Sequence, residues 1–419
     1  MIHHTLFHSV ASVLVAIGVA QGANRPQDYS LFASDGAGAD RFGSAVGVSN
    51  GMAVVGAYQD DDNGDNTGAA YLFNSLTGQQ MAKLLPADAA AGDRVGQAVA
   101  IDGSRVLVGS PWDDDSGSLS GSVYLYDTQT GMELEKLTPH DGDAGDFFGS
   151  ALGIAGDIAV IGAKGDDDHG TSAGAAYLFE VSTGQQLFKL YADDASTSDQ
   201  FGDSVAVTQG TAIVGAEKDD SGPNSGAAYL FDTATGAQRY KLTADDAVAG
   251  AYFGYSVGVS GNVAIVGAIN DRPNGGASGS AYLFDVNTGE QIVKLVPEDS
   301  RAGQYFGVSV AISGDFAIVG AYGDQEEGRF AGAAYLFDVP SGQQIAKLTA
   351  DDLLAEQAFG WRVGIDSRQV IVGAHGTDMN TTFAGAAYVY NVPEPATSSC
   401  LLLSAFLILL NRGEFKRGA

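Results

Sequence analysis

An all-β, seven-bladed β-propeller is the fold this sequence predicts, and three observations predict it. An aromatic–Gly pair recurs at Phe42, Phe148, Phe201, Phe253, Phe306 and Phe359, with Val95 in place of Phe once. The intervals are 53, 53, 53, 52, 53 and 53 residues. Two further markers keep the same beat: the glycine of a VGA-like step at Gly56, Gly109, Gly162, Gly215, Gly267, Gly320 and Gly373, and a tyrosine at Tyr71, Tyr124, Tyr177, Tyr229, Tyr282, Tyr335 and Tyr388. Finally, six copies break into four short apolar runs, and the seventh into three, parted by turn residues, as antiparallel strands require. A fixed period of this length marks a repeat architecture, and seven four-stranded units lie within the range of propellers. A linear solenoid or two sandwiches would not account for seven near-identical copies.

The third copy shows the unit. Ser150 to Ile154 alternates as a first strand, and Gly156-Asp157 turns the chain into Ile158 to Gly162. The acidic loop GDDDHGTSAG leads to a third strand at Ala175 to Phe179, and VSTG turns into a fourth at Gln185 to Leu190. The loop YADDASTSDQ then delivers the chain to Phe201. Stacked blades bury both faces of each sheet, so the strands are apolar on both sides. Small residues in the first strand (Ala45, Gly47, Ala151, Gly153) suit crowding near the axis.

Ring closure is legible too. Six copies end a fourth strand in Lys83-Leu84, Lys136-Leu137, Lys189-Leu190, Lys241-Leu242, Lys294-Leu295 and Lys347-Leu348, and the seventh has none. Leu31 precedes Phe42 by the same offset as Leu348 precedes Phe359, so Gln27 to Phe32 is predicted to supply the missing outer strand. That removes an open sheet edge at the junction.

Composition narrows the function. The 419 residues carry a net charge of −30, which argues against nucleic acid and anionic lipid, since both need Lys/Arg patches. The acidity fits a soluble, halotolerant or cation-binding surface. The single cysteine, Cys400, follows the repeats, so the repeat domain has no internal disulfide.

Both ends read as addresses. MIHHTLFHSV, the apolar run ASVLVAIGVA and the small residues Ala20, Gly22 and Ala23 have the layout of a secretory signal peptide over residues 1–22. At the other end, residues 392–419 hold Val392-Pro393-Glu394-Pro395, an apolar run from Cys400 to Leu410 and then Arg412, Lys416 and Arg417. That run is short for a membrane span, which needs about 20 residues. The segment resembles the PEP-CTERM sorting signal of Gram-negative bacteria that make exopolysaccharide. The resemblance implies recognition of Pro393, Glu394 and Pro395 by an exosortase-type membrane protease, with transient membrane contact through the tail alone.

The recurring FG, VGA and GAAYLF pieces over residues 26–391 resemble the FG-GAP repeat, the unit of the integrin α-chain propeller and of many bacterial exported proteins. That resemblance implies an extracellular adhesion or ligand-binding scaffold. The expected location is the cell surface or extracellular matrix of a Gram-negative bacterium.

In a four-stranded blade the second-to-third loop and the blade-to-blade loop open on one face, and here those loops hold most of the 51 acidic residues. Two readings stand. Asp side chains can simply cap turns, the reading favoured for the Asp193-Asp194, Asp245-Asp246 and Asp351-Asp352 pairs. Alternatively, the Asp/Asn clusters of the first three blades, with a glycine turn, suit a hard cation such as calcium. Those candidate ligands are Asp60, Asp61, Asp62, Asn63 and Asp65, then Asp113, Asp114 and Asp115, then Asp166, Asp167 and Asp168.

No catalytic constellation emerges. Gly254-Tyr255-Ser256-Val257-Gly258 matches a nucleophile-elbow pattern, but the same register recurs on other inner strands. After the leader only His140, His169 and His375 remain. Residues that break the symmetry carry more information. Trp361 and Arg362 replace the small pair found elsewhere, placing a bulky cation near the axis. Trp112, Tyr252 and Tyr305, with Phe147, Phe330 and Phe383, sit in or beside the acidic-face loops and are candidate ligand contacts. The expected function is non-enzymatic binding of an extracellular polysaccharide or surface protein. A biofilm-matrix scaffold and a glycan-active enzyme are the alternatives.

Overall fold

The computed structural model describes residues 27–392 apart from 220–224, 354, 368 and 377–383. The leader, Phe383 and the Pro393–Pro395 tail lie outside the described residues. Seven four-stranded antiparallel sheets form the blades of a closed propeller. In the third blade the strands are Phe148–Ala155, Ile158–Ala163, Ala175–Glu180 and Gln185–Leu190, in that order from the axis outward. The other blades repeat the arrangement.

The strands form because each repeat alternates β-branched or aromatic residues with alanine and glycine over a surface buried on both sides. The third strand is the extreme case: Ala175 to Phe179 are all buried. Asn50 and Gly51, both at positive φ, turn the first strand of blade one into its second, the geometry that Asn-Gly favours in a two-residue hairpin. A bulge between Leu178 and Phe179 and the outer strand recurs at the same place in all six blades that carry their own fourth strand. It adds twist to the outer edge.

There is no single central core. Seven apolar layers lie between adjacent blades, such as Val160, Ala176 and Leu178 of blade three against Val205, Val214 and Tyr229 of blade four. The repeated Phe lies in these layers, with Phe148 meeting Tyr177 and Phe179 edge-on at 5.5 and 5.9 Å. The repeated glycines are where blades touch backbone to backbone. A Cβ on Gly162 would stand 2.0 Å from the Gly202 carbonyl oxygen. Gly174, at φ +86, would meet the Phe201 carbonyl at the same distance. No other residue fits at either place.

The seventh blade closes as the sequence predicts. Its outermost strand is Tyr29–Leu31, paired with Ala386–Asn391 through Tyr29–Val389, Ser30–Tyr388 and Leu31–Ala387. Leu31 is fully buried, as the leucines that end the other outer strands nearly are.

Candidate functional site

Both acidic loop sets meet at one end of the ring, and the side chains joining them are lysines of the outer strands. In blade one, the Lys83 ammonium lies 2.9 Å from Asp35 of the incoming loop, 2.9 Å from Asp60 and 2.8 Å from Asp62 of the second-to-third loop. Lys136 repeats this with Asp88, Asp113 and Asp115, and Lys189 with Asp141, Asp166 and Asp168. Lys241 and Lys294 each hold one carboxylate from either loop, Asp194 with Asp219 and Asp246 with Asp271. Lys347 holds Asp299, Asp324 and Glu326.

The repeated tyrosine completes each clasp from below. Tyr71 donates its hydroxyl to Asp60, Tyr124 to Asp113 at 2.7 Å and Tyr177 to Asp166 at 3.0 Å. Burial and the Asp60 hydrogen bond push the Tyr71 phenol far above its usual range, so it stays a donor. Burial alone would lower the Lys83 pKa, but hydrogen bonds to Asp62, Asp60 and Asp35 together carry it above the ordinary lysine value. Each clasp is a charged, hydrogen-bonded tie between two loops and an outer strand.

This arrangement locates the predicted cation ligands. Asp60, Asp113 and Asp166 are buried at the base of their clasps, while Asp62, Asp115 and Asp168 reach the lysine from the exposed side. Asp61, Asn63, Asp65, Asp114 and Asp167 are exposed. Asp65 accepts a hydrogen bond from Asn66. The carboxylate oxygens of Asp35, Asp60 and Asp62 lie within 4.8 Å of one another, close enough to share a hard cation. The Lys83 ammonium already sits among them, so a divalent ion would have to displace it. The second Asp of the Asp193-Asp194 and Asp245-Asp246 pairs is likewise a clasp residue. Turn capping in the incoming loops falls to other side chains: Asp40, Asp93, Asp146 and Asp199 each accept a backbone N–H three residues back.

The incoming loop ends with the same conformation in every blade. Arg41, Arg94, Phe147, Gln200, Tyr252, Tyr305 and Ala358, each just before the aromatic–Gly step, all have φ between 54 and 62°. Non-glycine residues adopt this region rarely, and here it sets unlike side chains at equivalent places on the loop face. Arg94 lies 3.4 Å over the Trp112 ring, in a depression between blades one and two that Asp65 and Asn66 also line. Tyr305 stacks on Tyr322 at 4.9 Å, and Trp361 bridges Tyr322 and His375 at 5.0 and 4.8 Å. Tyr252 is half-buried. Of the predicted aromatics, Trp112 thus lies at blades one to two, Tyr305, Phe330 and Trp361 gather at blades six to seven, and Phe147 and Tyr252 stand apart from both.

Arg362 reaches the axis, as predicted. There the first strands of all seven blades enclose a cavity of ≈180 Å³. Among its lining residues are Gln97, Asp203, Ser204, Tyr255, Ser256 and Arg362. Ser204 and Ser256 donate to the Gly254 and Gly307 carbonyls at 2.7 and 2.8 Å, tying each first strand to the next. Ser256 of the elbow-like motif therefore serves a blade junction. Beside the cavity, burial and then Asp203 raise the Glu217 pKa to about 7, whereas burial with Arg41 and Arg362 lowers that of His375 to about 3. Sequence reading singled out Arg362 but not Gln97, Asp203, Glu217 or Tyr255.

Fold and loop face together define a β-propeller, a ring with divergent side chains gathered at one end, an architecture consistent with a protein of the binding or adhesion type. The FG-GAP repeat model matches seven segments, residues 26–73, 79–126, 132–179, 185–231, 237–284, 290–337 and 343–390, and the chain belongs to that family. No curated protein matches it.

Proposed function

We propose that this protein is an exported, non-enzymatic binding protein of the cell surface or extracellular matrix, attaching noncovalently to glycans or surface proteins through its loop face. One observation carries the reading. Two loop sets converge on one end of the ring, each tied down by a lysine clasp, while the side chains between the clasps differ from blade to blade. Function concentrates in loops held on a rigid frame, and aromatics such as Trp112 offer flat faces to sugar rings. FG-GAP repeats are typical of extracellular or surface proteins, and the leader and the Pro393-Glu394-Pro395 tail fit export followed by processing. Calcium enters this reading only as a competitor of the clasp lysines.

A glycan panel that includes extracellular polysaccharide of a Gram-negative host, read by calorimetry, tests it. Saturable binding is expected, weakened by Trp112→Ala with Asp114→Ala. Both positions avoid the buried Asp113, whose loss would unfold the clasp. Glu290→Ala, in a turn at the opposite end, is expected to leave binding unchanged. Equal loss from both ends, or no binding at all, favours a matrix scaffold; turnover of a glycan means an enzyme.

A further inference from the structure

We propose that the axial cavity is a second binding site, for a small hydroxylated carboxylate of the size and chemistry of one uronic-acid sugar. It does not depend on the reading of the loop face. The argument starts from the position two residues after the aromatic–Gly glycine. Around the ring it reads Ala45, Ala98, Ala151, Ser204, Ser256, Ser309 and Arg362. Seven small residues would pack the axis, and six blades comply. The seventh places a guanidinium there.

Arg362 has no carboxylate partner among the described residues. Its guanidinium donates to the Trp361 carbonyl at 3.1 Å and lies 5.4 Å from the Trp361 ring. In a chain of net charge −30, an unpaired guanidinium lining a cavity is a receptor for an anion. Arg41 and Arg362 both act on His375, so this side of the cavity is locally cationic. Screening over about 8 Å at physiological ionic strength keeps the distant acidic loops from cancelling it.

Among the alanines and valines of the rest of the wall stand several acceptors. Gln97 Oε1 is buried with no hydrogen-bond partner. Ser204 and Ser256 spend their protons on backbone carbonyls and present lone pairs to the cavity. Asp203, three blades from Arg362, has its charge balanced by Lys164 at 2.7 Å, so it accepts hydrogen bonds without calling for a second cation. One cation facing acceptors spread over several blades matches a ligand with one carboxylate and several hydroxyls. A zwitterion, whose donors gather at one ammonium, matches it less well. A carboxylate takes the two-pronged hydrogen bonds of a guanidinium, and Tyr255 offers the flank of a sugar ring a flat face. At about 30 Å³ per water, the cavity holds roughly six waters, the bulk of a monosaccharide and not of a chain.

Calorimetry and thermal shift on the intact chain test this with D-galacturonate and D-glucuronate, against galactose, glucose, galacturonate methyl ester and glutamate. Saturable one-to-one binding of a uronate is expected, at least tenfold weaker for the ester and the neutral sugars. Arg362→Gln should cost tenfold or more, Arg362→Lys less, and Asp203→Asn a smaller factor. Glu290→Ala, in a turn at the opposite end from the loop face and on the outer strand's side of its blade, should change nothing. Each variant is first checked for an unliganded melt within 2 °C of wild type, and Arg362→Lys keeps the test decisive where Arg362→Gln fails it. A galacturonate trimer distinguishes sources: both binding and exclusion support the site, the first meaning a chain end and the second a free sugar acid. Binding of ester or glutamate as tight as that of uronate, undiminished binding to Arg362→Gln, or no saturation by either uronate at 10 mM would overturn the proposal.

Discussion

Replacing Lys83 by Met keeps the apolar stem of the side chain and removes only the charge shared by Asp35, Asp60 and Asp62. Asp60, 4% exposed, then keeps the Tyr71 hydroxyl and loses its counter-ion. Breaking one side of a buried pair costs about 3–5 kcal/mol, because it strands the other charge. Lys83 is 22% exposed, so water reaches the pair and the loss should lie near the lower figure, about 3 kcal/mol. At about 2.1 cal/mol/K per residue over roughly 360 ordered residues, that lowers Tm by about 4 °C at pH 7. The pH dependence follows from the two partners. The raised Lys83 pKa gives a stabilisation fully present below the unfolded lysine value of about 10.4 and lost as pH rises through the folded value. Burial alone would raise the Asp35 pKa, but hydrogen bonds to Lys83, Tyr71 and its own backbone, with the Lys83 charge, together hold it below its ordinary value. Its share is present above about pH 3.9 and lost in more acid solution. Wild type and variant should therefore differ across neutral pH and converge at both extremes. The variant also leaves three carboxylates around the place of the ammonium. Calcium at ten times its Kd should return about 1.4 kcal/mol, near 2 °C. Differential scanning calorimetry with and without calcium, after chelation, reads both effects. A variant melting within 1 °C of wild type, or wild type gaining as much from calcium, would refute the reasoning.

Two further predictions rest on other parts of the ring. Glu217 binds its proton more tightly folded, at about pH 7, than unfolded, at about 4.3. Its carboxylate therefore opposes folding above pH 7, and that opposition fades as pH falls toward 4. Glu217→Gln should flatten the stability profile over this window and raise stability at pH 8 by up to about 4 kcal/mol, read from urea melts at pH 5 and 8; parallel profiles would contradict it. Removing Gln27 to Phe32 takes away fully buried Leu31 and bares an edge strand. Loss of one buried leucine alone costs about 2–5 kcal/mol, so melting should fall and size-exclusion chromatography should show association. Monomeric elution with an unchanged melt would argue against a closing strand.

The fold was legible because its determinants repeat. Phe, Gly and Tyr at a fixed period report seven blades, and the equal offsets of Leu31 and Leu348 report the closing strand. The clasp was present in the same spacing, since its lysine lies 48 residues after one Asp and 21 after another in each of the first three blades. It is hard to read because the lysine is hidden beside the conspicuous buried leucine, and an Asp cluster by itself looks the same whether it caps turns, binds a metal ion or meets a lysine from another strand. The left-handed residues before each aromatic–Gly step were invisible, since Arg, Phe, Gln, Tyr and Ala share no side-chain signature. Around the axis the bulk of Trp361-Arg362 announced itself. Gln97, Asp203 and Tyr255 are ordinary residues that matter only once seven strands bring them together.

The matched segments do not coincide with the blades. Each begins at the outer strand of one blade and runs through three strands of the next, so residues 185–231 start on Gln185–Leu190 of blade three and end on Ala227–Asp232 of blade four. A copy of the repeat is thus a stitch between neighbours rather than a blade. The break between Asn391 and Gln27 falls at the same point of the stitch as the turns at 74–78, 127–131 and 180–184, which join third strand to fourth. The ring consequently has seven equivalent seams. A chain rearranged to open at any of them, with its present ends joined by a turn of similar length, would be fastened by a borrowed outer strand just as this one is. A whole stitch added or removed would change the circumference and leave the fastening intact.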